Sequence, residues 1–253
     1  MKSLWSALKM YSRIPCPQVE WRAENRRYAL CFFPLVGAVI GILFVLWYAV
    51  CRYLQIGFLL QGAGMMLLPL AVTGGFHMDG YCDVYDALSS CAPREKKLEI
   101  LKDPHIGSFA VIHAAAYLIL QTALYAQLKS LQAASVAGCG FILSRALSGL
   151  CAILFPATGK EGSLQDFTVP AHRRLTVIVL SAAASFCAAG MLFLQPFAGS
   201  FSLAAAALCV AHYKTVCLRE FGGITGDCAG WFLQNCELAV AAACAAASVL
   251  NEI

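Results

Sequence analysis

Residues 28–51 read YALCFFPLVGAVIGILFVLWYAVC, a run of 24 residues without an Asp, Glu, Lys or Arg. A helix needs about 20 apolar residues to cross the hydrocarbon core of a bilayer. Six further apolar stretches, broken only by Arg145 and Glu237, lie at 56–76, 107–127, 131–155, 175–195, 197–212 and 229–250. The sequence therefore predicts an all-α integral membrane protein, with about seven transmembrane helices in a single bundle and one polytopic domain over 1–253.

The overall composition agrees with this prediction. Apolar residues make up 60% of the chain and charged residues 13%, whereas a soluble domain has roughly 45–50% and 25%. The net charge of +4 comes from few charges that lie between apolar runs. This pattern excludes a disordered chain, a coiled coil, collagen and a basic nucleic-acid-binding protein. We expect membrane lipid as a partner and no nucleic acid, and the composition leaves a homo-oligomer open.

The Lys and Arg residues of the loops predict the orientation, because cytoplasmic loops retain positive charge. Fifteen of the 18 lie on one side of the predicted membrane and two on the other, while Arg145 lies within a span. The charged loops alternate between the two sides only if the charge-free run 175–213 is divided into two spans. Gln195-Pro196 within this run is a turn signal. We therefore expect a cytoplasmic N-terminus, an external C-terminus, and cytoplasmic loops around Asp86, Lys160 and Asp227.

Three aspartates define a carboxylate stripe in the segment GGFHMDGYCDVYD at 74–86. Asp79, Asp83 and Asp86 are spaced i, i+4, i+7, which confines them to an arc of about 60° on a helix. Because no basic residue is interleaved, the three charges repel one another, and a divalent cation would neutralise them. All-oxygen ligands suit Mg²⁺ or Mn²⁺ rather than zinc. The alternative interpretation is a solvated acidic helix face at the membrane surface.

The stripe also predicts a class of chemistry. A DGxxDxxD pattern with a metal ion is typical of membrane enzymes that cleave a diphosphate, where Mg²⁺ stabilises the leaving group. The predicted catalytic residues are His77, Asp79, Asp83 and Asp86. His77 stands two residues before the stripe and is assigned a role in the metal site or in proton transfer.

Two further cytoplasmic segments offer substrate-binding residues. Lys102 is a candidate for phosphate oxygens, and Asp103 is either a further metal or hydroxyl ligand or a helix N-cap. In the loop before the last span, the predicted substrate-binding residues are Gly222, Gly223, Thr225 and Asp227. Their backbone N–H groups are expected to converge on an anion at a helix N-terminus. Asp227 is equally explained as an N-cap.

Two ionisable residues lie inside predicted spans. Glu237 lies in the seventh span and Arg145 in the fourth, and a charge in a membrane needs a partner. Both are candidates for substrate binding, with Arg145 contacting a phosphate. A purely structural pair between them is about as well supported.

These motifs resemble one known family. The segment at 74–86, the pattern Asp103-x-x-x-Gly107 and GGITGDxxG at 222–230 are similar to the cobalamin synthase family, the adenosylcobinamide-GDP ribazoletransferases. The resemblance extends over essentially the whole chain. This sequence differs from the common family pattern at Ala87, His105, the stretch 159–165 and Gln234.

The resemblance implies a fold, a reaction and a location. Members are integral membrane enzymes of the bacterial cytoplasmic membrane, dependent on Mg²⁺, with small-molecule substrates. α-Ribazole or its 5′-phosphate attacks the phosphoryl group attached to cobinamide in the GDP-activated corrinoid, and GMP leaves. By this resemblance, Asp79, Asp83 and Asp86 would hold the metal ion.

Two other functions stay open from the residues alone. A CDP-alcohol phosphotransferase uses the same metal and diphosphate chemistry, but its extended pattern has an Ala-Arg pair that is absent after Gly80. A secondary transporter would be expected to show an internal repeat and broken helices at the bilayer midplane. No convincing repeat is present in the sequence.

Overall fold

The computed structural model describes residues 2–158 and 163–250, so the predicted loop position of Lys160 lies outside the described residues. Over these ranges every regular element is helical, and the only β-type pairing is one isolated bridge between Ala157 and Ile224. The α-helices are α1 (Lys2–Tyr11), α2 (Ala23–Arg26), α3 (Phe33–Tyr53), α4 (Phe58–Thr73), α5 (Phe76–Ser89), α6 (Arg94–Ile100), α7 (Ser108–Ala126), α8 (Leu131–Leu154), α9 (Ser163–Thr168), α10 (Arg173–Leu194), α11 (Pro196–Val216) and α12 (Gly226–Leu250). A 3₁₀ turn, Ala29–Phe32, precedes α3, and a π-helical turn, Cys217–Phe221, follows α11.

Six of these helices, with the turns attached to two of them, are long and apolar enough to cross a membrane. They are α3, α7, α8, α10, α11 and α12. The predicted division of the run 175–213 is confirmed, because α10 ends at Leu194, Gln195 is extended with φ of −157°, and α11 begins at Pro196. The all-α membrane fold is therefore confirmed.

The second predicted span, 56–76, differs from the structure. The helix ends at Thr73, and α5 leaves α4 at an angle of 97°. A seventh crossing exists only if this bent pair is counted as one span. The apolar run did not reveal the break, because Gly74 and Gly75 interrupt the helix without interrupting the hydrophobicity.

The centre of the bundle is formed by α8 and α12. Helix α8 packs against α3, α10 and α12, while α12 also packs against α5 and α11. Small residues bring α3 and α8 together, since a Cβ on Gly37 or Gly41 would collide with the backbone of Phe141 or Gly138. Close approach through small residues is the usual way in which transmembrane helices associate.

Polar and apolar side chains are distributed as expected for a bundle in lipid. Large apolar side chains are exposed along the outer helices, among them Ile42, Leu46, Ile119, Ile178, Phe186 and Phe193. Polar side chains such as Gln121, Arg145 and Glu237 are buried instead. The exposed apolar belt needs a hydrocarbon environment, so the chain is a membrane protein.

Candidate active site

A two-glycine corner places the carboxylate stripe. Gly74 and Gly75 have φ of 67° and 79°, in the left-handed region that glycine adopts without strain. The hydroxyl of Thr73 donates to the Pro69 carbonyl at 2.7 Å and accepts from the Gly75 N–H at 3.3 Å. The chain therefore turns sharply and leads directly into α5.

The stripe is helical, which is the condition for its spacing to form a narrow arc. Asp79, Asp83 and Asp86 all lie on α5. Asp79 is exposed, whereas Asp83 and Asp86 are half-buried. The i, i+4, i+7 spacing therefore places the three carboxylates along one side of this helix.

Two glycines bring α5 against the beginning of α12. A Cβ on Gly80 would lie 2.8 Å from the Cα and carbonyl oxygen of Asp227, and a Cβ on Gly230 would lie 2.9 Å from the His77 carbonyl oxygen. Any larger residue at either position would force the two helices apart. This close approach is what brings Asp227 beside the stripe.

Asp227 and the stripe together form what we call the acidic cluster, Asp79, Asp83, Asp86 and Asp227. The negative charges of the other three members all act on Asp83. Among the described residues, no Lys or Arg forms an ion pair with any member. Four neighbouring carboxylates without a cation are costly, so the cluster is suited to a positively charged ligand.

One member of the cluster has a structural task that the sequence did not indicate. The Asp86 carboxylate accepts hydrogen bonds from the N–H groups of Gly107, at 2.6 Å, and Ala110, at 2.8 Å. These donors belong to the N-cap and the first turn of α7 and have no partner within their own helix. Asp86 therefore caps α7 from another helix, and the carboxylates without such bonds are those of Asp79 and Asp83.

The donor set of the cluster fits Mg²⁺. Within residues 2–158 and 163–250, no three His, Cys, Asp or Glu side chains already form a cage that could hold a metal ion. Mg²⁺ does not require such a cage, because it retains several waters and is usually bound by one or two carboxylates plus substrate phosphates. Asp79, Asp83 and Asp227 could supply those carboxylate oxygens.

His77 lies apart from the open side of the cluster. Its side chain is buried, stacks on Phe33 at 5.8 Å and meets Phe76 edge-on at 5.4 Å. It lines a narrow cavity of about 40 Å³ together with Ser148 and Gly226. Its Nδ1 has no hydrogen-bond partner among the described residues. The structure therefore does not bring the imidazole into contact with Asp79, which lines a different, open groove.

Asp103 and Lys102 lie on the exposed connection between α6 and α7. Asp103 accepts from the His105 N–H at 3.0 Å and pairs with its Nδ1 at 2.7 Å. The His105 N–H bond is the main reason that the pKa of Asp103 lies below its usual value. Asp103 is not the cap of α7, since Asp86 has that role. Lys102 is exposed, and none of its described contacts reaches the cluster.

The glycine loop differs from the predicted anion site. The N–H groups of Gly222 and Gly223 both point to the Cys217 carbonyl, and that of Ile224 donates to Pro156 at 2.9 Å. These amides are therefore not free to bind an anion, because they already donate to the carbonyl oxygens of Cys217 and Pro156. Thr225 caps α12 by accepting from the Cys228 N–H at 3.1 Å. The alternative assignment of Asp227 as the N-cap is thus replaced by Thr225.

The intramembrane charges form a pair. Arg145 Nη1 lies 2.7 Å from Glu237 Oε1 and 3.0 Å from the Phe141 carbonyl oxygen. The Ser144 hydroxyl donates to the same Glu237 oxygen at 3.3 Å. Arg145 is 1% exposed and Glu237 4% exposed, and neither lines the open groove. The geometry is that of the structural pair.

An open groove of about 830 Å³ adjoins the cluster, between α1 and the α4–α5 corner. Asp79 lines it from α5, and Lys9 and Arg13 line it from the N-terminal segment. In the sequence both cations indicated only the orientation, and the spacing Lys9-x-x-x-Arg13 was the available signal for the groove. The groove is the open space through which a polar ligand can reach Asp79.

The fold and this site together define a polytopic membrane protein with a carboxylate cluster where α7 and α12 begin and an open groove beside Asp79. The model of the cobalamin-5-phosphate synthase family matches residues 3–245. An adenosylcobinamide-GDP ribazoletransferase of Lachnoclostridium phytofermentans is 41% identical over 94% of this chain and 91% of its own. A protein of the same name from Clostridium botulinum strain Alaska E43 is 32% identical over 94% of both chains. One from Pseudomonas fluorescens is also 32% identical, over 95% of this chain and 97% of its own.

The chain therefore belongs to the cobalamin-5-phosphate synthase family. It is an enzyme, a transferase of cobalamin biosynthesis, as the resemblance of its motifs predicted. No solved structure matches the chain at a significant level. Family membership decides against the phosphotransferase and transporter alternatives, although the structure does contain one bent helix pair.

Proposed function

We propose that the chain joins α-ribazole, or its 5′-phosphate, to GDP-activated cobinamide and releases GMP in a Mg²⁺-dependent reaction. The new P–O bond forms between a hydroxyl oxygen of α-ribazole and the phosphorus next to cobinamide. The P–O bond that breaks leads to the phosphate of GMP. The observation that carries this proposal is the unpaired acidic cluster beside an open groove in a member of this family.

The chain contributes ligands and geometry to this reaction. Asp79, Asp83 and Asp227 would hold Mg²⁺, which when bound neutralises the diphosphate and the departing phosphate. Asp86 positions the stripe by binding the first turn of α7. Gly80 keeps α5 close enough to α12 for Asp227 to act with the stripe.

A carboxylate of the stripe, rather than His77, would accept the hydroxyl proton. Asp79 is exposed, so a ribazole hydroxyl can approach it. The buried His77 side chain lines the narrow cavity instead. A proton acceptor must come within hydrogen-bond reach of the group it deprotonates, which favours Asp79.

The proposed site faces the cytoplasm of a bacterium, and the membrane is its cytoplasmic membrane. In the predicted topology, with the bent α4–α5 pair counted as one crossing, fifteen Lys and Arg residues lie on the side that contains the acidic cluster, and two on the other side. Positive charge is retained on the cytoplasmic side of membrane proteins. Both substrates would then be taken up from the compartment that supplies nucleotides.

The test is product formation by the purified protein in neutral detergent, with GDP-cobinamide, α-ribazole and Mg²⁺. Chromatography should show a joined corrinoid and an equal amount of GMP. Reactions that lack one substrate are the controls. GMP release without α-ribazole would indicate hydrolysis, and the absence of any joined corrinoid from folded protein would refute the proposal.

A further inference from the structure

Arg13 is held in a defined place beside the acidic cluster. Its backbone N–H donates to the Val72 carbonyl oxygen at 2.7 Å, which ties the end of the N-terminal segment to the last turn of α4. Its side chain passes over Gly74, where an added Cβ would collide with the Arg13 side chain. Gly74 thus leaves room for the arginine as well as turning the chain.

The guanidinium of Arg13 and the ammonium of Lys9 are not used in the fold. Both side chains are exposed and line the open groove with Asp79. Among the described residues, neither forms an ion pair. Two unpaired cations in one groove favour an anionic ligand, and a guanidinium suits a phosphate because it can donate two parallel hydrogen bonds.

We propose that Arg13 and Lys9 form a phosphate-binding site in this groove, which holds the GMP portion of the activated corrinoid and releases it as product. This inference rests on the proposed function, because the diphosphate must lie between this site and the acidic cluster. Asp79 lines the same groove, so a phosphate bound by Arg13 stands next to the carboxylates that would hold Mg²⁺. The leaving phosphate would then be stabilised from both sides.

The same cations could instead contact the phosphate of a lipid headgroup, because α1 carries Lys residues on an exposed side. Lys2 separates the two sources. It lies seven residues before Lys9 on the same side of α1, is exposed, and does not line the groove. Lys2→Gln therefore removes the same charge from the same helix without changing the groove.

The experiment measures GMP binding by equilibrium dialysis and the KM values of both substrates, for wild type, Arg13→Gln, Lys9→Gln and Lys2→Gln in neutral detergent. Arg13→Gln should raise the Kd of GMP and the KM of GDP-cobinamide by about 10- to 100-fold, the loss typical of charge-assisted hydrogen bonds. Lys9→Gln should raise both by a smaller factor. Lys2→Gln should change neither, and no variant should change the KM of α-ribazole.

An unchanged Kd of GMP in Arg13→Gln would overturn the inference. So would a defect that appears only in vesicles containing phosphatidylglycerol and is absent in neutral detergent or in phosphatidylcholine, since that result identifies a lipid contact. If Arg13→Gln does not fold, Arg13→Lys and Lys9→Gln decide the matter, with an intermediate rise expected for both. If wild type makes no joined corrinoid, the proposed function fails, while GMP dialysis still tests the groove.

Discussion

The buried pair of Arg145 and Glu237 should contribute to stability rather than to substrate binding. Arg145→Met leaves the Glu237 carboxylate without a charged partner, and Glu237→Gln leaves the Arg145 guanidinium without one. Both residues are at most 4% exposed, so the remaining charge is buried. Removing one member of a buried pair costs about 3–5 kcal/mol. At about 1.4 kcal/mol per factor of ten, the unfolding equilibrium constant should rise by roughly two to three and a half powers of ten.

The double variant distinguishes a pair from two independent residues. Arg145→Met with Glu237→Gln removes both charges, so it should cost less free energy than either single change. The assay is unfolding in mixed micelles by titration with sodium dodecyl sulfate, with the Kd of GMP as a second readout. Costs that add within about 0.5 kcal/mol would refute the pair. A weakened Kd of GMP at wild-type stability would show instead that Arg145 binds substrate.

Three further predictions concern helix positions and topology. Gly80→Ala should reduce turnover strongly and stability by about 1–3 kcal/mol, because its Cβ would overlap the Asp227 backbone; Gly190→Ala, inside α10 with open space around its Cβ, is the control and should lower neither. Asp86→Ala should lower stability by about 0.5–2 kcal/mol through loss of the α7 cap, measured by detergent unfolding; equal stability would contradict that role. A reporter fused after α12 should work only outside the cytoplasm, and cytoplasmic activity would contradict the predicted orientation.

Much of the fold could be predicted because transmembrane helices are local features of the sequence. Five of the seven predicted spans correspond closely to α7, α8, α10, α11 and α12, and the first to α3 with its preceding turn. The break after Thr73 could not be predicted, because hydropathy does not register two glycines in an apolar run. The angle between α4 and α5 depends on the contact of Gly80 with α12, which is distant in sequence.

Contacts in the site could be predicted where the sequence offers only one partner of opposite charge. Arg145 was the obvious partner for Glu237, because it is the sole basic residue inside a predicted span. The role of Asp86 was not predictable, because the N–H groups that it caps lie 21 and 24 residues away. The loop at Gly222 resembled an anion site by composition, but the neighbouring segment 156–158 engages the loop and its N–H groups donate to carbonyls within the fold.

The central claim, that Asp79, Asp83 and Asp227 form one metal site with the substrate diphosphate, is tested most directly by counting bound Mn²⁺. Electron paramagnetic resonance of free Mn²⁺ gives its Kd in the presence of GDP-cobinamide. Wild type and the control Asp166→Asn, whose carboxylate pairs with Arg26 on the surface, should bind the ion equally. Asp83→Asn should bind it far more weakly, because a neutral amide is a poor ligand for a hard cation. An Asp83→Asn protein that binds Mn²⁺ with the wild-type Kd would contradict the account.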